Sequence, residues 1–267
     1  MTKRVLLSFS SDHPKYRKAQ AYQNLLALQG NYFDHIFPYT PEDLGLSFHL
    51  KHRDILRHRR GYGYWIWKPY IVLKTMDLLE EGDMIFYCDV DRIFKASPKP
   101  FFDLLSSIPQ AILPLSHPSF LEYKYSKSDL MGCLTQGSDG LDLKKTPQIW
   151  AGAFVIQKES SAKSFLLEWY GYASEEHFLS ETASYLYPSS PEFINHRHDQ
   201  SIYSLLVKKH RFRYYILGEE FLSHRDTKKG YGVFNPDIQN ILQERPHFAS
   251  LPIPLRWIYT LRLRFRS

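Results

Sequence analysis

Four short apolar runs recur along this chain with helix-length segments between them: Val5-Leu6-Leu7-Ser8-Phe9, Met84-Ile85-Phe86-Tyr87-Cys88, Ala111 to Leu115 and Trp150 to Ile156. Runs of strand length without polar alternation belong to strands covered on both faces, and such strands are joined by helices lying over the sheet. The segments between them carry helical signals. Lys18 to Leu28, Phe101 to Ile108 and Lys163 to Trp169 read as helices, as does His198 to Lys209 with Ile202, Leu205 and Leu206 inward. The clearest helix begins at Trp67: Pro69 suits its first turn, Ile71, Met76, Leu78 and Leu79 form its apolar stripe, and Glu81-Gly82-Asp83 ends it. Tyr32 to Phe37 adds a further strand. The expected fold is α/β, with a mostly parallel central sheet and helices on both faces, and ligands in such folds bind at the carboxyl ends of the strands.

At 267 residues the chain is long for one domain. We expect a main domain over residues 1–225 and a basic C-terminal extension over 226–267. The net charge of +6 is uneven, because residues 208–267 hold 12 Lys/Arg against 5 Asp/Glu. Arg256, Trp257 and Leu261-Arg262-Leu263-Arg264-Phe265-Arg266 place arginines beside apolar groups, a pattern suited to an anionic membrane surface, with a solvated terminus or a packed segment as the plain alternatives. Nucleic acid is not expected as a partner, since no nucleic-acid motif accompanies the charge. Two cysteines are too few for a disulfide framework or a zinc cluster, and the apolar run after Lys3-Arg4 is too short for a signal peptide. A cytoplasmic protein is expected, peripheral on the inner face of the membrane if the tail binds there.

The chemistry concentrates where the run at Met84 ends, in Asp89-Val90-Asp91. Two carboxylates one residue apart at a strand exit can both reach one hard cation, Mn2+ or Mg2+, because a turn there breaks the alternation of side chains. A cation so placed stabilises a departing diphosphate as a Lewis acid. The alternative is that both acids only cap or solvate a turn.

Gly82 to Asp91 as a whole resembles the strand and D-x-D signature of the GT-A fold glycosyltransferases. Trp150-Ala151-Gly152-Ala153-Phe154 is similar to the small-residue segment lining their donor-sugar pocket, and His198-Asp199-Gln200-Ser201 to the later acidic motif beside the reacting carbon. Arg60-Gly61-Tyr62-Gly63-Tyr64-Trp65-Ile66-Trp67-Lys68-Pro69 also resembles a segment of bacterial and algal-virus polysaccharide transferases of this fold. The resemblance implies a metal-dependent transferase moving a sugar from a nucleotide-diphosphate donor, a UDP-sugar first, to a saccharide or lipid-linked saccharide acceptor. It assigns Asp199 to catalysis and Asp89 and Asp91 to the metal, with His224 as third ligand, although the fuller histidine pattern of one such group is absent. Donor contacts fall on Ser8, Phe9, Arg60, Trp65, Lys68, Asp89, Val90, Asp91, Trp150, Ala151, Gly152 and Gln200.

Each assignment has a plainer counterpart. Arg60 and Lys68 beside a helix start suit an anion, or are solvated while the neighbouring aromatics pack the core. Ala151-Gly152-Ala153 leaves room for a ligand or permits tight strand packing. Asp199 suits an N-cap as well as a reacting carbon, and His224 suits solvent as well as a metal. A phosphatase of the haloacid dehalogenase type also places an acid pair after an apolar strand, but it needs Thr or Val two residues beyond the second Asp, where Ile93 stands here. A sugar-binding module without turnover is the non-enzymatic alternative, its stacking faces drawn from the 16% aromatic residues.

Overall fold

The computed structural model describes residues 2–94, 96–135, 143–216 and 222–224. Strand β1 (Arg4–Phe9) and helix α1 (Pro14–Gln29) lead to β2 (His35–Tyr39). The short helices α2 (Pro41–Leu44), α3 (Leu46–Lys51) and α4 (Arg53–Leu56) and the single non-helical turn α5 (Gly61–Tyr64) precede α6 (Trp67–Met76) and β3 (Met84–Cys88). After β4 (Arg92–Phe94) come α7 (Lys99–Ser107), β5 (Ile112–Leu121), α8 (Glu122–Tyr125), α9 (Ser128–Thr135) and β6 (Pro147–Gln157). Then follow α10 (Ser160–Ser174), α11 (Glu176–Leu179), α12 (Asp199–Lys209), β7 (Tyr215–Ile216) and β8 (Leu222–His224).

Six strands form one sheet in the order β2-β1-β3-β6-β5-β7, and β4 pairs with β8 apart from it. Strand β1 is parallel to both β2 and β3, β6 is antiparallel to β3 and to β5, and β5 is parallel to β7. Five strands therefore point one way and β6 alone is reversed. The sheet is mostly parallel, as expected, with one strand whose direction periodicity could not reveal. Chain order reverses at β1, which has β2 on one side and β3 on the other, so the crevice at the carboxyl ends of β1 and β3 is the switch point where open α/β sheets bind ligands.

Alternate residues of the central strands build two cores. Val5, Leu7, Ile85, Tyr87, Phe154 and Ile156 face one way, packed with Ile71 and Val72 of α6, Phe165 and Trp169 of α10, and Ile202 and Leu206 of α12. Leu6, Met84, Phe86, Ala153 and Val155 face the other, against Ala27 of α1 and Phe102 and Leu105 of α7. Full burial of one such side chain is worth roughly 1.5–3 kcal/mol. Helices thus cover both faces.

Some boundaries move, each for a physical reason. The second strand starts at His35 and runs to Tyr39, including Pro38. As the edge strand β2 can hold a proline, which has no N–H to donate to a further neighbour. The helix from Trp67 stops at Met76, so Leu78 lies outside it and is 63% exposed. The extension 226–267, with its membrane-binding pattern, lies outside the described residues. No helix among the described residues is long and apolar enough to cross a membrane.

Candidate donor-sugar and catalytic site

At the carboxyl end of β3 the chain turns, and Asp89 and Asp91 sit on that turn with side chains 27% and 32% exposed. The turn is fastened on two sides. Asp89 N donates to Gly152 O at 2.8 Å, extending the β3–β6 ladder, and Gln23 of α1 donates its Nε2 to the carbonyls of Asp89 (2.9 Å) and Arg92 (3.0 Å). Val90, between the acids, is buried. Arg92 Nε lies 3.5 Å from Asp91, and its guanidinium sits 4.4 Å over the Trp150 ring.

The second component is Lys68, 3% exposed in the first turn of α6. Its ammonium is 2.8 Å from Asp199 Oδ2, 3.5 Å from Asp89 Oδ1 and 3.1 Å from Ala151 O, to which it donates. Residues far apart in sequence, from the D-x-D turn, the small-residue strand β6, the start of α6 and the start of α12, thus meet around one buried cation. Tyr87, inside the apolar run, donates its hydroxyl to Asp89 Oδ1 at 2.6 Å. Asp89 Oδ1 is thereby engaged by Tyr87 and Lys68, while Asp89 Oδ2 accepts no hydrogen bond among the described residues.

The electrostatics follow from one ammonium between two carboxylates. Burial works against the Lys68 ammonium, but Asp199 and Asp89 outweigh it and raise its pKa above the ordinary value. Burial raises the Asp89 pKa, with Asp91 adding to the effect and Lys68 opposing it. Burial likewise pushes Asp199 up to about 6, with Lys68 resisting and Asp89 assisting. Lys68, Asp89 and Asp199 together carry one excess negative charge when ionised, and Asp91 lies against Arg92.

Above this cluster the chain from Gly61 to Trp65 forms an unusual left-handed turn, with φ of +60°, +54°, +79°, +54° and +63°. Gly61 and Gly63 accept that conformation freely, whereas Tyr62, Tyr64 and Trp65 hold it under strain. His198, just before α12, is also left-handed at φ +53° and stacks on Tyr64 at 4.4 Å. Strain of this kind persists only where surrounding packing imposes it, and it gathers at functional sites. His198 Nδ1 donates to Leu179 O at 2.9 Å, and burial lowers the ring's pKa to about 4, so the ring is neutral near pH 7.

The remaining sequence-predicted residues are placed as follows. Ser8 is buried and accepts from Gln20 Nε2 at 3.3 Å, and Phe9 is stacked on Trp67 at 3.9 Å inside the core. Arg60 is half-exposed and ion-paired with Glu181, which itself lies 3.6 Å from His198 Nε2. Trp65 is half-buried beside His198. A Cβ on Gly152 would meet the Trp150 indole at 2.1 Å, so the space this glycine leaves is filled by the ring of the residue two positions before it. Gln200 donates to Gln148 Oε1 at 2.7 Å. The β4–β8 register sets His224 opposite Arg92, the residue after the D-x-D pair.

Sequence reasoning did not single out Gln23, Tyr87, Glu181 or Gln148. Tyr87 carried a signal, as a hydroxyl-bearing residue two positions before the first acid, whereas a lone glutamine in a helix or strand carries none.

Asp89, whose Oδ2 accepts no hydrogen bond among the described residues, and Asp91 beside it are a donor set suited to a hard divalent cation, which would add phosphate oxygens and water to its ligands. Among the described residues no group of three His, Cys, Asp or Glu side chains forms a complete metal site.

No family model and no curated protein matches the chain. Among solved structures it is similar to the apo form of mouse xyloside xylosyltransferase 1, at 11% identity over 81% of this chain and 84% of that one, TM-score 0.43. It is similar to a glycosyltransferase involved in glycosylating the major capsid of PBCV-1, at 14% identity over 84% and 94% of the two chains, TM-score 0.44. It is similar also to an active-site variant of LgtC, a galactosyltransferase, at 12% identity over 94% and 99%, TM-score 0.43.

Proposed function

We propose that the chain is a metal-dependent glycosyltransferase that moves a sugar from a nucleotide-diphosphate-sugar to a hydroxyl of a saccharide or lipid-linked saccharide. The observation that carries this reading is the meeting of Asp89, Lys68, Asp199 and the Ala151 carbonyl at the switch point of the sheet. A uridine diphosphate sugar is the expected donor.

In this reading Asp89 and Asp91 hold Mn2+ or Mg2+, with His224 as third protein ligand. A divalent cation at this place supplies Lewis-acid neutralisation of the diphosphate leaving group. Lys68 is fixed by three oxygen partners, so it keeps Asp199 aimed at the reacting centre without moving itself. Breaking a glycosidic bond to a nucleotide develops positive charge at the anomeric carbon, and an ionised Asp199 stabilises that charge from a position set by the scaffold. Arg60 exchanges Glu181 for donor phosphate, an exchange an exposed ion pair permits at little cost. Trp150 and the Trp65 turn bound the sugar and exclude water.

The test is a screen of nucleotide-sugars for hydrolysis by the full chain with Mn2+, Mg2+ or excess chelator. Hydrolysis of one donor class that chelator removes and added metal restores is expected. A chain that binds nucleotide-sugars but never turns them over is a binding module, and the proposal then fails.

A further inference from the structure

Beside the site lies a second buried polar cluster that the reaction itself does not use. Glu122, Ser126, Gln148, Ser201 and Ser204 are all essentially inaccessible, and their hydrogens can be assigned one by one. Lys208 Nζ donates to Glu122 Oε1 at 2.7 Å and to Pro147 O at 2.8 Å. Ser204 Oγ donates to the same carboxylate oxygen, and Ser126 Oγ donates to Glu122 Oε2 at 2.5 Å. Ser201 Oγ donates to Tyr125 O at 2.8 Å while accepting from Arg197 N at 3.1 Å.

The hydroxyl hydrogens of Ser126 and Ser201 are thereby committed, so toward Gln148 both oxygens can only accept. They lie 3.1 Å and 3.0 Å from Gln148 Nε2, with Tyr125 O and Glu122 Oε2 slightly farther at 3.3 Å and 3.4 Å. Four acceptors on one side force the nitrogen of the Gln148 amide to face them, and its oxygen to face the other way. That oxygen accepts from Gln200 Nε2 at 2.7 Å. The Gln200 amide is therefore also oriented: its nitrogen points at Gln148, and its Oε1, which accepts no hydrogen bond among the described residues, is left for a ligand one residue from Asp199.

We propose that Gln148 is a positioning residue: through a chain of forced hydrogen-bond directions from Lys208 and Glu122, it fixes the Gln200 carboxamide with Oε1 presented to the bound sugar as a hydrogen-bond acceptor. The proposal rests on the glycosyltransferase reading for its kinetic consequence but not for its structural one. The same ladder binds Ser201, Ser204 and Lys208 along one side of α12, so it also holds the helix that carries Asp199 in a single axial register.

Two variants and two readouts test it. Gln148→Leu keeps the volume and releases the Gln200 amide. Gln148→Glu, protonated beside Glu122, still offers an oxygen to Gln200 and a hydrogen toward the serine oxygens. With the full chain, Mn2+ and the donor found by screening, Gln148→Leu should lower kcat about tenfold with donor KM nearly unchanged, and Gln148→Glu should restore most of the loss, the scale of one hydrogen bond made in the transition state. Independently of turnover, the Gln200 side-chain amide signals in NMR, assigned through Gln200→Met, should shift and lose exchange protection in Gln148→Leu but not in Gln148→Glu. A folded Gln148→Leu with unchanged kcat and unchanged Gln200 signals overturns the proposal, as does equal kcat loss in both variants tracking a fall in melting temperature. If the wild-type chain turns over no nucleotide-sugar, the functional reading fails while the amide signals still decide the positioning.

Discussion

Among the described residues, two buried lysine–carboxylate clusters lie about the same helix, α12, and they are built to opposite ends. Lys208 meets one carboxylate, Glu122, whose oxygens are also filled by Ser126 and Ser204. Lys68 meets two, Asp89 and Asp199, with few neutral donors besides. The first is balanced in charge and closed to ligands. In the second, burial and crowding of negative charge raise both carboxylate pKa values, that of Asp199 to about 6. A cluster whose charges satisfy one another holds a fold together, whereas one that leaves negative charge unbalanced at a strand end is prepared for a cation or for charge that develops during a reaction.

Deleting charge from each cluster in turn should separate the two. Asp91→Asn should abolish turnover and metal-dependent donor binding while leaving thermal melting nearly unchanged, because its side chain is 32% exposed and contributes little to the core. Full turnover by this variant would remove the metal role from the turn. Asp199→Asn keeps size but loses charge, and it should lower turnover by at least ~100-fold with donor affinity little changed. If donor affinity falls while turnover stays near normal, Asp199 is a binding residue instead.

The closed cluster should answer in stability. Lys208→Met leaves Glu122 buried without its cation and should cost about 3–5 kcal/mol in chemical denaturation, of which the pair Lys208→Met with Glu122→Leu recovers a large part. A single variant as stable as wild type would mean that the serine hydroxyls alone satisfy Glu122.

Acidity sharpens the contrast further, with a smaller effect. Burial lowers the pKa values of His52 and His198 to about 4, and that of His196 well below the ordinary 6.5. Between pH 6.5 and 4 the unfolded chain takes up protons these rings refuse in the fold, so stability falls as pH drops through that window. Asp199 has the opposite sign. With its folded pKa near 6, above the ordinary 3.8, it gains its proton in the fold first, which contributes stability present below 3.8 and lost as pH rises through 6. Melting temperature should therefore decline from pH 6.5 to 4, and Asp199→Asn, which lacks the opposing group, should decline more steeply. Parallel slopes for the two proteins would show that Asp199 titrates normally.

How much of this was legible in the sequence depended on whether the cause was local. Apolar runs announced β1, β3, β5 and β6, and the acids after Cys88 announced the turn. The reversed direction of β6 was hidden, because a buried strand has the same composition in either direction. The left-handed conformation of Tyr62, Tyr64 and Trp65 was hidden, because it depends on packing against His198 and Phe9. Asp199 was found at a helix start, as expected, yet its partner is Lys68 at a distance of 131 positions, and no local pattern pairs them. The closed cluster was invisible for the same reason: Glu122, Gln148 and Lys208 are ordinary polar residues until the fold brings them together.

In the proposed function a divalent cation and a nucleotide diphosphate bind together at the open cluster and not at the closed one. Titration calorimetry of Mn2+ into the full chain in the presence of UDP tests it most directly, with Asp91→Asn and Lys208→Met beside wild type. Stoichiometric Mn2+ binding that requires UDP, is lost in Asp91→Asn and persists in Lys208→Met is the predicted result. Mn2+ binding of equal strength in Asp91→Asn and wild type would contradict it.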